Sequence, residues 1–418
     1  MNKENKLIPK LRFPEFTEPW AIISVSDVCD VYRGGTFSKA DMDENGTESC
    51  IHYGELFTKY NEVISVIYSK TNKSDGFRSE AGDILMPSSD VTPDGLAKAS
   101  AIILDNVVLG GDMNILRPKT IINSIFLSYL LNYSKSEIIK LISGTTVKHI
   151  YPSQIITCQL PIVKSEPEQQ EIASCLSTLD EVISAHSQKL ELLNDHKKGL
   201  MQNLFSREGG KVPNYRFPEF RGNGEWNEAL FGDIVNFSSG GTPSKESPEY
   251  WNGTIPWISA ASMHTYNIEK SDSNITEVAV AHGAQVAKEG TLLILVRGSM
   301  LYNRIPMGIA LRDVAFNQDV KALTLVKEMN IHFLLYELMG LESQLLNAVT
   351  ATGIGAGKLD TNDLKKFIIC FPSPDEQQKI ASCLSFLDEL ITSQAEKIEQ
   401  LKLHKKGLMQ SLFPKTID

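Results

Sequence analysis

Apolar positions in this chain follow three rhythms. Between Gly, Asp and Pro breaks, short runs at 29–35, 61–69, 82–88, 99–105 and 107–116, and later at 291–296, 308–311 and 320–326, are apolar throughout or at every second residue. Such runs predict strands. At 124–143 and 332–350 the spacing lengthens to that of a helix. The third rhythm is a seam: Ile172, Leu176, Leu179, Ile183, Leu190, Leu193, Leu200 and Leu204 step by three and four, with His186 and Lys197 on the missing beats. Ile380, Leu384, Leu387, Ile391, Ile398, Leu401, Leu408 and Leu412 repeat it, with Gln394 and Lys405 in the gaps. Heptad spacing of this kind pairs long helices. Pro167 and Pro374 stand just before the predicted helices, and Glu168 and Glu376 favour the positive end of the helix dipole. The class is α+β.

The two seams are one segment written twice. Residues 168–205 and 376–413, offset by 208, are identical at 25 of 38 positions. Weaker echoes precede each copy: RFPEF at 12–16 and 216–220, GGTFSK at 34–39 and GGTPSK at 240–245, GDILM at 82–86 and GTLLI at 290–294, and glycines at 144 and 353. The chain therefore reads as a globular portion, 1–165, a helix, 166–206, a second globular portion, 207–373, and a second helix, 374–418. Two matching stripes in one chain most simply bury each other. A pseudo-twofold relation then makes the helices an antiparallel coiled coil with the globular portions at opposite ends, and a 38-residue helix is a stiff spacer of about 57 Å. Lys197, Lys198, Lys405 and Lys406 read as dipole complement and solvated face, with phosphate contact as the alternative. The match HKKGLMQ extends beyond the seam and points to something outside that binds both helices alike.

Composition narrows the function. The 418 residues carry 41 Lys and Arg against 51 Asp and Glu, a net charge of -10, and none of the four segments is basic overall. A diffusely basic binder is excluded; nucleic-acid contact has to come from one face or be shared with a partner. The 6 cysteines form no CxxC pair and the 8 histidines no metal-ligand spacing, so the thiols read as reduced and no metal site is expected. TGIGAGKL at 352–359 has Thr352 where a phosphate loop needs its first glycine and Leu359 where it needs Ser or Thr. No GxSxG elbow, adenine-methylation loop or glycine-rich cofactor loop is present, so nothing requires an enzyme. No apolar run approaches the roughly 18 residues of a membrane span and no signal-like stretch opens the sequence, so a cytoplasmic location is expected.

The order of globular portion, EQQxIAxxLSxLDE, long helix and HKKGLMQxLF, given twice, resembles the specificity (S) subunit of type I restriction-modification systems. The resemblance spans the chain, is strong in the helical motifs and is generic in the globular portions. It implies that 1–165 and 207–373 are target recognition domains, each reading one half of a bipartite double-stranded DNA target, with the helices setting the gap. It further implies no catalysis and no cofactor on this chain, and no membrane partner. Two modification (methyltransferase) subunits would bring S-adenosylmethionine, and two restriction subunits would use ATP and Mg to translocate and cut DNA. A protein-binding coiled-coil scaffold without DNA contact is the alternative reading, motivated by the acidic charge.

Polar and basic residues in loops after strands are the candidate DNA contacts. In the first portion these are Arg33, Thr36, Ser38, Lys39, Arg78, Ser88, Ser89, Lys98, Lys148 and His149. In the second they are Thr242, Ser244, Lys245, Arg297, Ser299, Asn303, Arg304, Gln318 and Lys358. Tyr53, Trp251 and Trp257 read as core.

Overall fold

The structure, a computed structural model, describes residues 7–207, 209–352 and 355–415. Gly353, one of the echoing glycines, lies outside the described residues. The chain divides into two compact units: Met1–Gln188 with Ala395–Asp418, and Lys189–Gln394. The division falls inside both long helices, because each unit contains a globular portion, the start of the helix that follows it and the end of the other.

The two units share one topology. In unit 1 a five-stranded sheet has the order Cys29–Arg33, Met113–Pro118, Ile84–Pro87, Ser100–Ile102, Val63–Ile64, antiparallel except at its last pair. Unit 2 repeats that order with Val235–Ser239, Val320–Leu325, Leu292–Leu295, Met307–Ala310 and Asn267–Ile268. A four-stranded sheet accompanies each, built on Glu48–Ile51 beside Val108–Leu109 and on Trp251–Ile258 beside Val314–Phe316. Ala21–Ser24 pairs with Gln159–Ile162, and Asn227–Leu230 with Ile368–Phe371, so the first and last strands of each globular portion close on one another.

Several predicted elements are shorter than their apolar runs. In 61–69 only Val63–Ile64 and the start of Ser69–Thr71 pair as strands, and 107–116 is split by a turn at Gly110 and Gly111. The helix over 124–143 is two, Ser124–Tyr133 and Lys135–Ile139, and that over 332–350 is Ile331–Gly340 and Glu342–Asn347. The first of each pair is capped by an asparagine whose side chain accepts from the backbone three residues on. The GGT echo is a packing requirement. A Cβ on Gly34 would stand 1.8 Å from the Gly110 carbonyl, and one on Gly240 1.9 Å from that of Phe316.

The long helices run Glu166–Leu204 and Pro374–Leu412. Both prolines lie in the first turn instead of before it, where no backbone donor is needed. All sixteen seam residues are buried or half-buried. The pairing is antiparallel within each unit. In unit 1 Ile172 and Leu176 share a core with Leu408 and Leu412, and in unit 2 Leu200 and Leu204 share one with Ile380 and Leu384.

The repeated motif is mostly internal bonding. Glu168, fully buried, accepts from Arg12 Nε and Nη2 at 2.8 and 2.7 Å, and Glu376 from Arg216 Nε and Nη2 at 2.7 Å each. Gln169 and Gln377 each accept from the capping asparagine's N–H and donate to a carbonyl just before the helix. Asp180 accepts from Tyr129 and Lys405 at 2.5 and 2.8 Å, and Asp388 from Tyr336 and Lys197 at 2.7 and 2.6 Å. This corrects the solvated-face expectation for two of the four lysines. Lys197 and Lys405 have side chains only 12% exposed and lie over tyrosine rings, whereas Lys198 and Lys406 are exposed. Phe413 closes unit 1 against Trp20, Phe126 and Tyr133, and Phe205 closes unit 2 against Trp226 and Phe333.

Candidate nucleic-acid interface

One end of the five-stranded sheet gathers most of the candidate contacts. In unit 1 the register Arg33↔Asn114 and Met113↔Pro87 brings three strand ends level. The chain leaving Pro87 is held there: Ser88 N–H donates to the Asp112 carbonyl at 2.8 Å, and Ile150 N–H to the Ser88 carbonyl at 3.1 Å. Ser89–Asp90 then pairs with Lys148–His149 as a miniature sheet. Arg33 stands exposed, 3.7 Å from Asp112. Lys148 donates to the Gly144 carbonyl at 2.8 Å, across a turn where Gly144 has φ 102° and a Cβ would meet Val147 O at 2.3 Å. His149 stacks on exposed Tyr151, centroids 6.0 Å apart. Beneath this edge the Ser88 hydroxyl and the Asn114 side-chain oxygen are buried with no hydrogen-bond partner among the described residues.

Unit 2 builds the same edge from different side chains. Val296 N–H donates to the Asp319 carbonyl and Leu359 N–H to the Val296 carbonyl, at 2.8 and 2.9 Å, matching the Ser88 bonds one for one. Arg297–Gly298 pairs with Gly357–Lys358, and Thr350–Ala351 adds a third strand. Thr242 donates to Gln318 at 2.9 Å, and Lys321 to Ser239 at 2.6 Å. Burial lowers the Lys321 ammonium below its ordinary value. Lys358 pairs with Asp360 at 2.8 Å, while Arg297, Ser299 and Asn303 are exposed.

Residues 17–195 and 223–403 each match the family profile for the type I restriction modification DNA specificity domain, and together they make up most of the chain. The chain belongs to this type I specificity family. It is 32% identical over 185 residues to the type I restriction enzyme EcoR124I/EcoR124II specificity subunit of Escherichia coli, covering 44% of this chain and 45% of that protein. It is 34% identical over 198 residues to the MjaIX specificity subunit of Methanocaldococcus jannaschii, covering 45% and 44%. Those matches span under half of each relative. The MjaVIII specificity subunit of the same organism aligns over 96% of this chain and 93% of its own length at 22% identity. A crystal structure of a type I restriction-modification S subunit from M. genitalium has the same fold, with a TM-score of 0.64, 17% identity and coverage of 98% of this chain and 100% of that one.

Not every candidate in this specificity chain reaches the edge. Arg78 sits on the four-stranded sheet, bound to Glu48 at 2.8 Å and to the Asn106 and Ser74 carbonyls. Lys98 is turned inward onto the Tyr60 carbonyl at 2.6 Å, and burial lowers its pKa. Arg304 donates to the Met263 carbonyl at 2.8 Å. Ser38 donates through backbone and hydroxyl to Asp41, which holds that carboxyl below the usual range, with Lys73 adding to the effect. Thr36, Lys39, Ser244 and Lys245 are exposed on the loops after the GG turns. Trp251 and Trp257, read from the sequence as core, are half-buried; they pack edge to face at 5.5 Å and bond the Ser244 and Gly241 carbonyls, so they brace that loop. Tyr151 and Val91 lie exposed just after the strands of the first miniature sheet, Thr350 opens the third strand of the second, and Tyr302 ends the short helix after Gly298; none of them is among the sequence candidates. Among the described residues no group of three or more His, Cys, Asp or Glu could hold a metal ion, and no helix is long and apolar enough to cross a membrane.

Proposed function

We propose that this specificity chain reads a bipartite double-stranded DNA target, one half-site per unit, and directs modification and restriction subunits to it without catalysing a step itself. The observation that carries the reading is the pair of sheet ends. Two identical sets of backbone bonds present different side chains, Arg33, Lys148, His149 and Tyr151 in one unit and Arg297, Gln318, Lys321 and Lys358 in the other. A constant frame with unlike groups suits the reading of two unlike sequences. Arg forks onto guanine, Gln onto adenine, and Lys meets phosphate.

Each half-site alone discriminates weakly, since a mismatch costs about 1–3 kcal/mol. Two readers on one frame make the second contact nearly intramolecular, so the gap between half-sites becomes part of the recognised signal. Adenine methylation requires the base to leave the duplex, a task for a modification subunit carrying S-adenosylmethionine. ATP and Mg belong to the restriction subunits, and the whole assembly to the cytoplasm. Gly199 and Gly407 support partner binding along the helices. Each costs about 1 kcal/mol in a helix interior, yet a Cβ at either would meet nothing within 4 Å.

The test uses the full chain with its modification subunits and duplexes whose half-site spacing is changed by one base pair. Affinity is expected to fall by more than tenfold off the preferred spacing. Equal affinity at all spacings overturns the bipartite reading, and absence of any salt-dependent DNA affinity favours the protein-only scaffold.

A further inference from the structure

In a chain of net charge -10, one surface of unit 1 runs the other way. Two adjoining cavities, about 450 and 420 Å³, share Tyr133 and Gln410 where the end of the second long helix meets helices Ser124–Tyr133 and Lys135–Ile139. Lys10, Lys135, Lys140, Lys402, Lys406 and Lys415 line them. Five of these are exposed and Lys135 is half-buried. Among the described residues, the lining carboxylates are paired, Glu62 with Lys405 at 2.9 Å and Glu137 with Lys140 at 3.0 Å, and neighbouring Glu399 pairs with Lys402 at 2.8 Å. The last two pairs are partly or wholly open to water, where an ion pair holds weakly, so an incoming anion competes with them easily.

Unit 2 does not repeat the feature. At the positions of Lys10, Lys135, Lys140 and Lys402 it has Asn214, Glu342, Asn347 and Asn194, and it keeps a basic residue only at those of Lys406 and Lys415, as Lys198 and Arg207. A partner that binds both helices alike would be met alike, so the trough serves something that only unit 1 needs. It also leads to the reading edge. Helix Lys135–Ile139 packs on Pro93–Leu96, which packs on both strands of the miniature sheet, and the chain from Lys140 runs on to Lys148 and His149.

We propose that this trough is a track for a nucleic-acid phosphate backbone, holding duplex that flanks the half-site read by unit 1 without reading its sequence. The inference rests on the DNA-reading function proposed above. Ammonium groups on flexible stems, with no arginine fork among them, suit point contacts to phosphate at several positions and carry no base information.

The test is a charge-neutralised variant, Lys10→Gln with Lys135→Gln and Lys402→Gln, in the full chain with its modification subunits. Affinity is measured against salt on target and non-target duplexes with long or short flanks. Loss of about three phosphate contacts lowers the slope of log affinity against log salt by about 2–3. Affinity is expected to fall by more than tenfold on target and non-target DNA equally, and only with the long flank. An unchanged slope with intact spacing preference overturns the track and leaves the reading function standing. Loss of the modification subunits from the complex on size exclusion also overturns it, by assigning the trough to protein. A wild type that binds DNA without spacing preference, yet loses slope in the variant, supports the track while the bipartite reading fails. A wild type that binds no DNA overturns both.

Discussion

Unit 1 and unit 2 place the same lysine, aspartate and tyrosine against one another and differ in the fourth member. In unit 1 Lys405 meets Asp180, the Tyr129 ring and the carboxylate of Glu62; in unit 2 Lys197 meets Asp388, the Tyr336 ring and, in place of the carboxylate, the ring of Tyr266. Across from these nodes the difference is reversed. Leu130 is fully buried in helix Ser124–Tyr133, and the corresponding Glu337 is buried in helix Ile331–Gly340. A shared backbone thus tolerates moving a carboxylate from one end of the packing to the other, provided each ammonium keeps one carboxylate and each buried carboxyl keeps a donor or its proton.

Glu337 is where that tolerance costs most. Desolvation lifts its carboxyl from an ordinary 4.5 to about 8, opposed only by a hydrogen bond from the Cys370 N–H. Below the ordinary value folded and unfolded chains both hold the proton. As pH climbs, the unfolded chain releases it and the folded one does not, so stability falls by about 1.4 kcal/mol per pH unit until about 8 and then levels off. Copying unit 1 with Glu337→Leu should stabilise unit 2 by about 3–4 kcal/mol near pH 8 and much less near pH 4. Urea unfolding followed by tryptophan fluorescence checks this, since Trp226, Trp251 and Trp257 lie in unit 2 and only Trp20 in unit 1. A gain that is the same at every pH would mean that the apolar packing of the leucine, and not loss of the carboxyl, is what stabilises.

The lysine nodes should respond unequally to the same cut. Asp388→Ala leaves Lys197 with aromatic faces alone, and a half-buried ammonium without a carboxylate should cost unit 2 about 2–3 kcal/mol. Asp180→Ala leaves Lys405 paired with Glu62 and should cost unit 1 about 1 kcal/mol. Burial raises the Asp180 pKa despite Lys405, and Glu62 adds to that rise, so removing the aspartate also relieves two carboxylates facing one cation. Adding Tyr266→Glu to Asp388→Ala should restore most of the loss. Equal losses in the single variants, measured as urea midpoints, would show that the fourth member contributes nothing.

The repeat, the seam and the strand content were legible because each is a periodic pattern in apolar residues, and burial acts on periodicity. Sheet order was not, since parallel neighbours such as Val63–Ile64 and Ser100–Ile102 are only two or three residues long and lie far apart in sequence. Of the candidates expected in loops, Arg33, Lys148, His149, Arg297 and Lys358 lie instead in short strands at the shared sheet edge. Sequence position could not tell them from Arg78, Lys98 and Arg304, because a basic side chain satisfied by a neighbouring carbonyl or carboxylate has the same local sequence as a free one. Strictness of the helical motif was the most misleading signal. Arg12 and Glu168, or Lys405 and Asp180, are far apart in sequence, so an internal bond and an external partner leave the same mark.

Gly199 and Gly407, like the exposed Lys198 and Lys406, belong to the part of that mark which internal bonding does not explain, and they give the smallest and most even of the effects. An added methyl at either meets no atom within 4 Å, so Gly199→Ala and Gly407→Ala should each stabilise their unit by up to about 1 kcal/mol, through higher helix propensity and fewer unfolded conformations. The same methyl would stand between the helix and any chain that approaches its backbone closely, so affinity for a modification subunit should fall by about tenfold for each variant. Thermal melts check the first outcome and titration of the modification subunit the second. A rise in stability with undiminished binding in both variants would remove the glycines from the partner surface, and a loss of binding in one alone would mean that the two helices, so alike in sequence, are met differently.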